Sequence, residues 1–176
     1  MTEAAPSVPA QTPAPAPHWR VFAVIAAVVF GLDQLTKAWL VSRLSPGESL
    51  DVLGDWLRLV HGQNTGALFG LFRDSAAGFA AVSIVVIGAI LWYEARAGGT
   101  RYISLALGLL LGGALGNLAD RIRLGYVVDF VDAGIGTLRF WTFNVADASI
   151  SLAILLLLAA SVWPSLAGPQ PVRSNA

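Results

Sequence analysis

Residues 150–163, ISLAILLLLAASVW, decide the fold class, because this long apolar run has no charged side chain. A bilayer core of about 30 Å is crossed by about 20 helical residues. The uncharged segment around this run, residues 148–172, is long enough to cross it. Three further segments come close to that length: Trp19–Val41, 75–93 and 102–119. The sequence therefore predicts a mainly α-helical, polytopic membrane protein with four transmembrane helices.

The composition supports a membrane protein and excludes several functions. Hydrophobic residues make up 56% of the 176 residues and charged residues 12%, about half the share usual in soluble domains. A formal net charge of zero does not suit a nucleic-acid partner, and we expect none. The chain has no cysteine, which excludes disulfides, iron–sulfur clusters, thiolate zinc sites and a cysteine nucleophile.

The segments between the spans divide into two types. Residues 44–74 and 121–147 mix short apolar and polar pieces, which predicts strands outside the membrane, with 127–131 and 138–143 as strand candidates. Residues 94–101 are expected to form only a tight turn. Residues 1–17 hold five of the nine prolines and are expected to be a disordered arm. This leaves a four-helix membrane domain at residues 18–164 and a tail at 165–176.

The orientation of the spans stays open when only the residues are considered. Because successive helices alternate in direction, both long connections share one membrane face and both termini share the other. The face with the termini has four Lys and Arg residues, against seven on the face with the long connections. By the positive-inside rule, this count opposes cytoplasmic termini.

Polar residues near the helix ends have both structural and functional interpretations. Asp33 and Lys37 are four residues apart, which predicts an ion pair that anchors the end of the first helix. Asn117 and Asp120 project together near the end of the third span, either as hydrogen-bonding groups between helices or as part of a site. The third span also has a stripe of glycines at four-residue spacing, which predicts close helix packing: Gly108, Gly112 and Gly116.

Three further acids, Asp129, Asp132 and Asp147, lie on the same side of the membrane. Taken singly, Asp129 is expected to be a solvated loop acid. Asp147 is expected to be an N-cap of the last helix, a role for which Asn144 is the alternative. Two carboxylates brought together near a bilayer surface cannot both ionise cheaply, so one remains protonated while the other acts as a base. Such a pair can activate water for peptide hydrolysis.

Other catalytic systems find little support in the sequence. The two histidines are His18, in the proline-rich arm region, and His61, which we expect to be a surface strand residue. The His and carboxylate residues have no metal-ligand spacing, so we expect no metal site.

Five motifs in order resemble the lipoprotein signal peptidase family, also called signal peptidase II. They are Asp33-Gln34 with Lys37, NTGALFG at 64–70, GGALGNLADR at 112–121, VVDF at 127–130 and FNVAD at 143–147. The resemblance extends from about residue 20 to residue 163. It implies a bacterial inner-membrane aspartyl protease that removes the signal peptide of prolipoproteins, just before a cysteine that carries a diacylglyceryl group.

The resemblance also assigns roles to individual residues. It implies that Asp129 and Asp147 are the catalytic pair. The remaining polar positions are expected to bind substrate or support the site: Asn64, Asn117, Asp120, Arg121, Asn144, Asp33 and Lys37. It implies cytoplasmic termini and a strand cradle on the periplasmic side, against the Lys and Arg count. We expect a monomer that acts on diacylglyceryl prolipoproteins among membrane lipids, without a cofactor.

Two other classes of function remain as alternatives. A small proton-coupled transporter would use buried acids as a proton relay, but transporters usually have internal repeats and acids near mid-membrane. Here no repeat is evident and the acids lie at helix ends, which favours the hydrolase. An interaction scaffold would tolerate neutral substitution of Asp129 or Asp147. Within the hydrolase hypothesis, Asp120 and Asp132 are the runner-up acids.

Overall fold

Four long helices form the framework of the protein, a computed structural model of which describes residues 17–66, 76–97 and 99–168. Each is long and apolar enough to cross a membrane, as the sequence predicts. The helices are α1 (Trp19–Val41), α2 (Ala76–Ala97), α3 (Arg101–Leu124) and α4 (Val145–Val162), and a short 3₁₀ helix (Pro164–Ala167) follows α4.

Helix α3 is the central helix, because it packs against each of the other three. Its glycines allow this close packing, as predicted. A Cβ atom added at Gly108 would lie 2.8 Å from the backbone oxygen of Phe22, and one added at Gly112 would lie 2.7 Å from that of Ala26. The backbones of α1 and α3 are therefore in close contact along this stripe of glycines.

The two long connections form one antiparallel sheet outside the spans. Its strands, in spatial order, are β1 (Ser49–Asp51), β2 (Leu57–Asn64), β3 (Val127–Ile135) and β4 (Leu138–Arg139). Strands β2 and β3 pair with an irregularity between Leu59 and Gly62, after which Gly62 lies opposite Asp129. The predicted strand at 138–143 is shorter than expected, since Phe143 instead forms an isolated bridge with Val131.

Helix α2 is longer than the sequence predicts. The span predicted at 75–93 and the turn predicted at 94–101 are wrong at their boundary, because α2 continues to Ala97. Glu94 lies inside this helix with 1% of its surface exposed, and it accepts a 2.8 Å hydrogen bond from Ser104 Oγ. Glu94, which the sequence placed in a turn, thus lies within α2 and is hydrogen-bonded to Ser104 on α3.

The predicted limits of α3 and α4 also need correction. Helix α3 continues five residues beyond the predicted end at 119, to Leu124, where Gly125 adopts a left-handed conformation with φ 77°. Helix α4 begins at Val145 rather than at 148, and it ends at Val162 rather than at 172. Pro164 follows its end and opens the 3₁₀ helix, because proline cannot continue the α-helical hydrogen bonds.

Two other predictions concern the connections and the termini. His61 was predicted to be a surface residue, which is wrong: it is 4% exposed, and its Nδ1 lies 2.8 Å from the backbone oxygen of Leu44. The predictions for residues 1–16, for residues 67–70 of the NTGALFG motif, and for residues 169–176 lie outside the described residues.

Candidate active site

Asp129 lies on β3 and is only 3% exposed, so the interpretation as a solvated loop acid is wrong. Its Oδ2 accepts a 2.9 Å hydrogen bond from Asn64 Nδ2, and its Oδ1 accepts a 2.8 Å bond from Asn144 Nδ2. Burial and the nearby charge of Asp147 raise the pKa of Asp129 to about 7, while the two amide donors oppose this shift.

Asp147 lies in the first turn of α4, where Asn144 is the N-cap. The two residues form a capping box. Asn144 Oδ1 accepts from the backbone nitrogen of Asp147 at 2.9 Å, and Asp147 Oδ2 accepts from that of Asn144 at 3.2 Å. Of the two cap candidates in the sequence, Asn144 is therefore the cap. The other oxygen of Asp147 accepts a 2.8 Å bond from Asn117 Nδ2.

A chain of two side-chain amides connects the two aspartates. Asn144 Nδ2, which donates to Asp129, also lies 3.2 Å from Asn117 Oδ1. Asn117 in turn donates to Asp147 through its Nδ2. Asn117 accepts a hydrogen bond through Oδ1 and donates one through Nδ2, so only one orientation of its side-chain amide satisfies both contacts.

The backbone brings the elements that carry these acids together. The Val131 nitrogen donates to the Phe143 oxygen at 2.8 Å, and the Phe143 nitrogen donates to the Val131 oxygen at 3.1 Å. Strand β3 and the residue before the cap of α4 are therefore joined by main-chain hydrogen bonds. Helix α3 approaches α4 equally closely, because a Cβ atom at Gly113 would lie 2.6 Å from the Ala146 oxygen.

A buried charged cluster connects α1 with α3 beside the aspartates. Lys37 Nζ lies 2.8 Å from Asp33, 2.9 Å from Asp120 and 3.2 Å from Asn117 Oδ1. All three charged side chains are at most 4% exposed, which is tolerated because each charge is paired. The predicted Asp33–Lys37 ion pair is thus present, with a third charged partner from α3.

The two acids of this cluster also fix the backbone around the site. Asp33 Oδ1 accepts a 3.0 Å hydrogen bond from the Ala146 nitrogen, one of the free donors in the first turn of α4. Asp120 Oδ2 accepts a 3.1 Å bond from the Val128 nitrogen, next to Asp129. The carboxylate of Asp120 is therefore engaged by Lys37 and by β3.

Asp132 lies three residues beyond Asp129 on β3, so the pleat directs its side chain to the opposite face. It accepts hydrogen bonds from Arg139 Nε at 2.9 Å and from Arg58 NH2 at 2.8 Å. These bonds, from Arg139 first and then from Arg58, lower the pKa of Asp132. It connects three strands of the sheet and lies apart from the Asp129–Asp147 pair.

Arg121 supplies a cation near the two aspartates. It is partly buried, its NH1 donates to the Asn117 oxygen at 3.2 Å, and its guanidinium carbon lies 5.6 Å from the centroid of the Phe79 ring. All nine residues predicted for the site thus belong to one connected region: Asp129, Asp147, Asn64, Asn117, Asp120, Arg121, Asn144, Asp33 and Lys37.

Two supporting residues were not selected from the sequence. Gln34 Nε2 donates to Asp120 Oδ1 at 3.0 Å and to the Gly116 oxygen at 3.3 Å. Its place beside Asp33 in the first motif was the available signal. Gly113 permits the contact between α3 and the start of α4, and only its position next to the glycine stripe pointed to it. Within residues 17–66, 76–97 and 99–168, His, Asp and Glu side chains form no group arranged to hold a metal.

Comparisons with known proteins assign this arrangement to a family. The model of the family described as signal peptidase (SPase) II matches residues 25–163, most of the chain. The chain belongs to the signal peptidase II family. Its match to the lipoprotein signal peptidase of Caulobacter vibrioides is 44% identical over 152 residues and covers 80% of this chain and 84% of the relative. For the lipoprotein signal peptidase of Halothermothrix orenii, the identity is 38% over 136 residues, with 77% and 90% covered.

Solved structures show the same fold. One bacterial membrane enzyme, determined by the in meso method at 2.3 Å, matches with a TM-score of 0.79 and 27% identity, over 91% of this chain and 98% of that one. A second, at 1.9 Å, matches with a TM-score of 0.76 and 29% identity, over 86% and 98%. This signal peptidase II is therefore a membrane-embedded protease of a family that acts on lipoprotein precursors. The comparisons give no support to a transporter.

Proposed function

We propose that Asp129 and Asp147 form the catalytic dyad of this signal peptidase II. The observation that carries the proposal is the bonding of Asn144, whose side chain donates to Asp129 while its backbone and side-chain oxygen hold Asp147. One residue thereby fixes both carboxylates relative to each other. Two acids held together with a pKa near 7 on one of them suit general acid and base catalysis at neutral pH.

In the proposed reaction the dyad enters with one shared proton. The ionised carboxylate takes a proton from water as the water oxygen attacks the scissile carbonyl carbon, and the protonated carboxyl donates to the carbonyl oxygen. The tetrahedral intermediate then collapses: the carbon–nitrogen bond breaks, the proton taken from water goes to the leaving amine, and one hydroxyl of the intermediate returns its proton to the other carboxylate as the carbonyl group forms. The titration belongs to the pair, so the base is not assigned to one residue.

The polar residues around the dyad have supporting roles in this proposal. Asn64 and Asn144 orient the Asp129 carboxylate, and Asn117 orients that of Asp147. Arg121, partly buried and bonded to the backbone of Asn117, is the cation available to bind a carbonyl group of the substrate backbone. Asp33, Lys37 and Asp120 hold α1, α3 and β3 in place and do not exchange protons with the substrate.

We propose that the substrate is a prolipoprotein whose cysteine carries a diacylglyceryl group and that cleavage occurs just before that cysteine. A lipid-bearing substrate requires a site at the membrane surface, and the sheet beside the dyad and the connection between its strands β1 and β2 carry exposed apolar side chains suited to that depth. Trp56 is 67% exposed, Leu53 64% and Leu138 81%, although all three lie outside the spans. The sheet therefore contacts membrane lipids and supports the peptide.

The protein is proposed to lie in the bacterial inner membrane with cytoplasmic termini and a periplasmic dyad. The exposed sheet and the dyad occupy the same end of the helices, where the precursor emerges after export. The enzyme acts as a monomer in this proposal, since all nine site residues come from one chain.

Cleavage of a diacylglyceryl prolipoprotein by the purified protein in detergent tests the dyad. Asp129→Asn and Asp147→Asn should each lower the rate at least 1,000-fold, as expected for removal of a catalytic acid or base. Asp120→Asn is the matched variant, because it removes a buried carboxylate next to the dyad. Thermal unfolding reports whether each variant folds. If a folded Asp129→Asn variant still cleaves while a folded Asp120→Asn variant is inactive, the catalytic role proposed for Asp129 belongs to Asp120.

The proposed orientation in the membrane can be tested by cysteine labelling, because the chain contains no cysteine of its own. Single cysteines are introduced at two exposed positions, as Asp55→Cys beside the sheet and as Arg96→Cys near the end of α2. A membrane-impermeant maleimide should label the first in intact cells and the second only after lysis. The reverse pattern would place the termini outside the cytoplasm.

A further inference from the structure

An open cavity of about 560 Å³ lies at the end of the helix bundle where α1 and α3 begin. Its lining combines two arginines, an imidazole and an indole ring with two apolar residues. The lining residues are Pro17, His18, Trp19, Arg20, Val21 and Arg101. It is thus a cavity with cationic walls.

The two arginines of this cavity have no acidic partner among the described residues. Arg20 and Arg101 are both exposed, and neither takes part in any ion pair there. The first turns of α1 and α3 contain no acidic residue either. Two positive charges therefore converge on one cavity, and no acidic side chain among the described residues pairs with either of them.

The placement of these arginines is unfavourable for the helices themselves. Arg20 lies in the first turn of α1 and Arg101 is the first residue of α3, at the ends where the helix dipole is positive. His18, the N-cap of α1, forms no side-chain capping bond. An anion bound between the two arginines would offset the unfavourable charge.

The cavity lies at the water–membrane boundary, which narrows the class of anion. Trp19 is 42% exposed and packs edge-on against Phe22, with ring centroids 5.5 Å apart, as is typical of an aromatic residue at a membrane interface. Val24 and Val28 follow Val21 at helical spacing on α1, and they are 59% and 52% exposed. An apolar stripe thus extends from the cationic cavity towards the membrane interior.

We propose that this cavity binds the phosphodiester headgroup of an anionic glycerophospholipid. Arg20 and Arg101 pair with the phosphate, Trp19 packs at the level of the glycerol backbone, and one acyl chain follows Val21, Val24 and Val28. Basic pockets between transmembrane helices bind anionic lipid headgroups by the same charge complementarity. The occupant is a membrane lipid, and the site does not take the substrate.

The site is separate from the proposed dyad. Arg20 precedes Asp33 by 13 residues on α1, and Arg101 precedes Asn117 by 16 on α3. At 1.5 Å per residue these separations are about 20 and 24 Å along the helices. The lipid site and the dyad therefore lie towards opposite ends of the helices, and the inference does not depend on which residues carry out hydrolysis.

Native mass spectrometry of the full-length protein in a non-ionic detergent tests the proposal. The protein is titrated with phosphatidylglycerol and phosphatidylcholine of identical acyl chains, at equal concentrations. We expect phosphatidylglycerol to bind at least tenfold more tightly, and we expect Arg20→Gln/Arg101→Gln to abolish this preference. The matched control is Arg43→Gln/Arg96→Gln, which removes two exposed arginines that do not line the cavity and should keep the preference.

Further variants and a competition experiment control for misfolding and for binding of a free phosphate ion. Arg20→Lys/Arg101→Lys keeps both charges and should keep most of the preference, and all variants should still cleave prolipoprotein in detergent. Inorganic phosphate at the lipid concentration should not displace phosphatidylglycerol. Equal binding of the two lipids, an unchanged preference in the glutamine double variant, or displacement by inorganic phosphate would each overturn the proposal.

Discussion

Asn144 Nδ2 lies 2.8 Å from Asp129 Oδ1, and the same residue caps the helix that begins with Asp147 in its first turn. Asn144, the N-cap of α4, therefore also donates a hydrogen bond to Asp129, the buried aspartate on β3. Capping and orientation of the acid use different atoms of Asn144: its Oδ1 accepts from the Asp147 nitrogen, and its Nδ2 donates to Asp129. Substitutions can separate the two roles.

Asn144→Ser should keep the cap and lose the bond to Asp129. Serine is about as good an N-cap as asparagine, so the cap itself should change little. The free energy of unfolding should fall by about 1–3 kcal/mol, because the buried acceptors of Asn144 Nδ2 lose their donor. The rate of prolipoprotein cleavage should fall about 100-fold, because Asp129 loses an orienting donor. The control is Thr100→Ala, which removes the N-cap of α3 at the other end of the bundle. It should lower stability by about 1 kcal/mol and leave the rate unchanged. Full activity of Asn144→Ser would contradict a role of Nδ2.

Asp129 should make the stability of the protein depend on pH. Its pKa is raised from 3.8 to about 7 by burial and by the charge of Asp147. The folded state therefore holds a proton between about pH 4 and 7 that the unfolded state has lost. The stabilisation is complete below pH 4 and is lost as the pH rises through 7. Unfolding free energies measured over this range should fall for the parent and stay flatter for Asp129→Asn. The exposed Asp51→Asn variant serves as control and should behave like the parent.

Asn64 should set the alkaline limit of the activity. Its 2.9 Å bond to Asp129 Oδ2 favours the ionised carboxylate and so lowers the pKa that burial raises. Asn64→Ala removes this donor, and the pKa of the pair should rise further. The dyad would then keep its shared proton to higher pH, and the alkaline limb of the kcat profile should move upwards. A limb that moves to lower pH would show that Asn64 acts on the protonated form instead.

Much of this site follows from sequence because its residues are close neighbours within short motifs. The capping box of Asn144 and Asp147 depends on a spacing of three residues, and the Asp33–Lys37 pair on a spacing of four. The bond from the Ala146 nitrogen to Asp33 joins residues 113 positions apart, and no local pattern indicates it. The burial of Asp129 was missed for the same reason, since it depends on the packing of the sheet against the helices.

Polar residues account for two wrong predictions, one of a helix boundary and one of a buried position. Apolar length located the four spans, because a bilayer accepts few unpaired charges. Glu94 was taken as the first residue of a turn, yet its partner Ser104 lies on the next helix and lets α2 continue. His61 was taken as exposed, although it is buried with its Nδ1 within hydrogen-bond distance of the Leu44 oxygen. Both residues depend on tertiary hydrogen bonds.

Gly113 should be intolerant of any side chain. A Cβ atom there would lie 2.6 Å from both the Ala146 oxygen and Ser149 Oγ. Gly113→Ala should therefore push the start of α4 away from α3, lower the free energy of unfolding by about 1–3 kcal/mol and reduce cleavage. Gly88→Ala on α2 is the matched control, because nothing lies within 4 Å of its added Cβ. Equal melting temperatures of the two variants would argue against close packing at Gly113.

Glu94 and Ser104 offer a test of a buried polar pair away from the site. Ser104 Oγ donates to Glu94 Oε1 at 2.8 Å, while Glu94 Oε2 has no hydrogen-bond partner among the described residues. Ser104→Ala would leave both oxygens unpaired, and the free energy of unfolding should fall by about 1–3 kcal/mol. Glu94→Gln keeps the acceptor for Ser104 in a side chain of the same shape, so it should stay within about 1 kcal/mol of the parent. Cleavage should be unaffected in both variants, since Ser104 precedes Asn117 by 13 residues, about 20 Å along α3. Chemical unfolding in detergent measures the difference. A Glu94→Gln variant as unstable as Ser104→Ala would mean that the carboxyl group itself, and not only its bond to Ser104, holds α2 against α3.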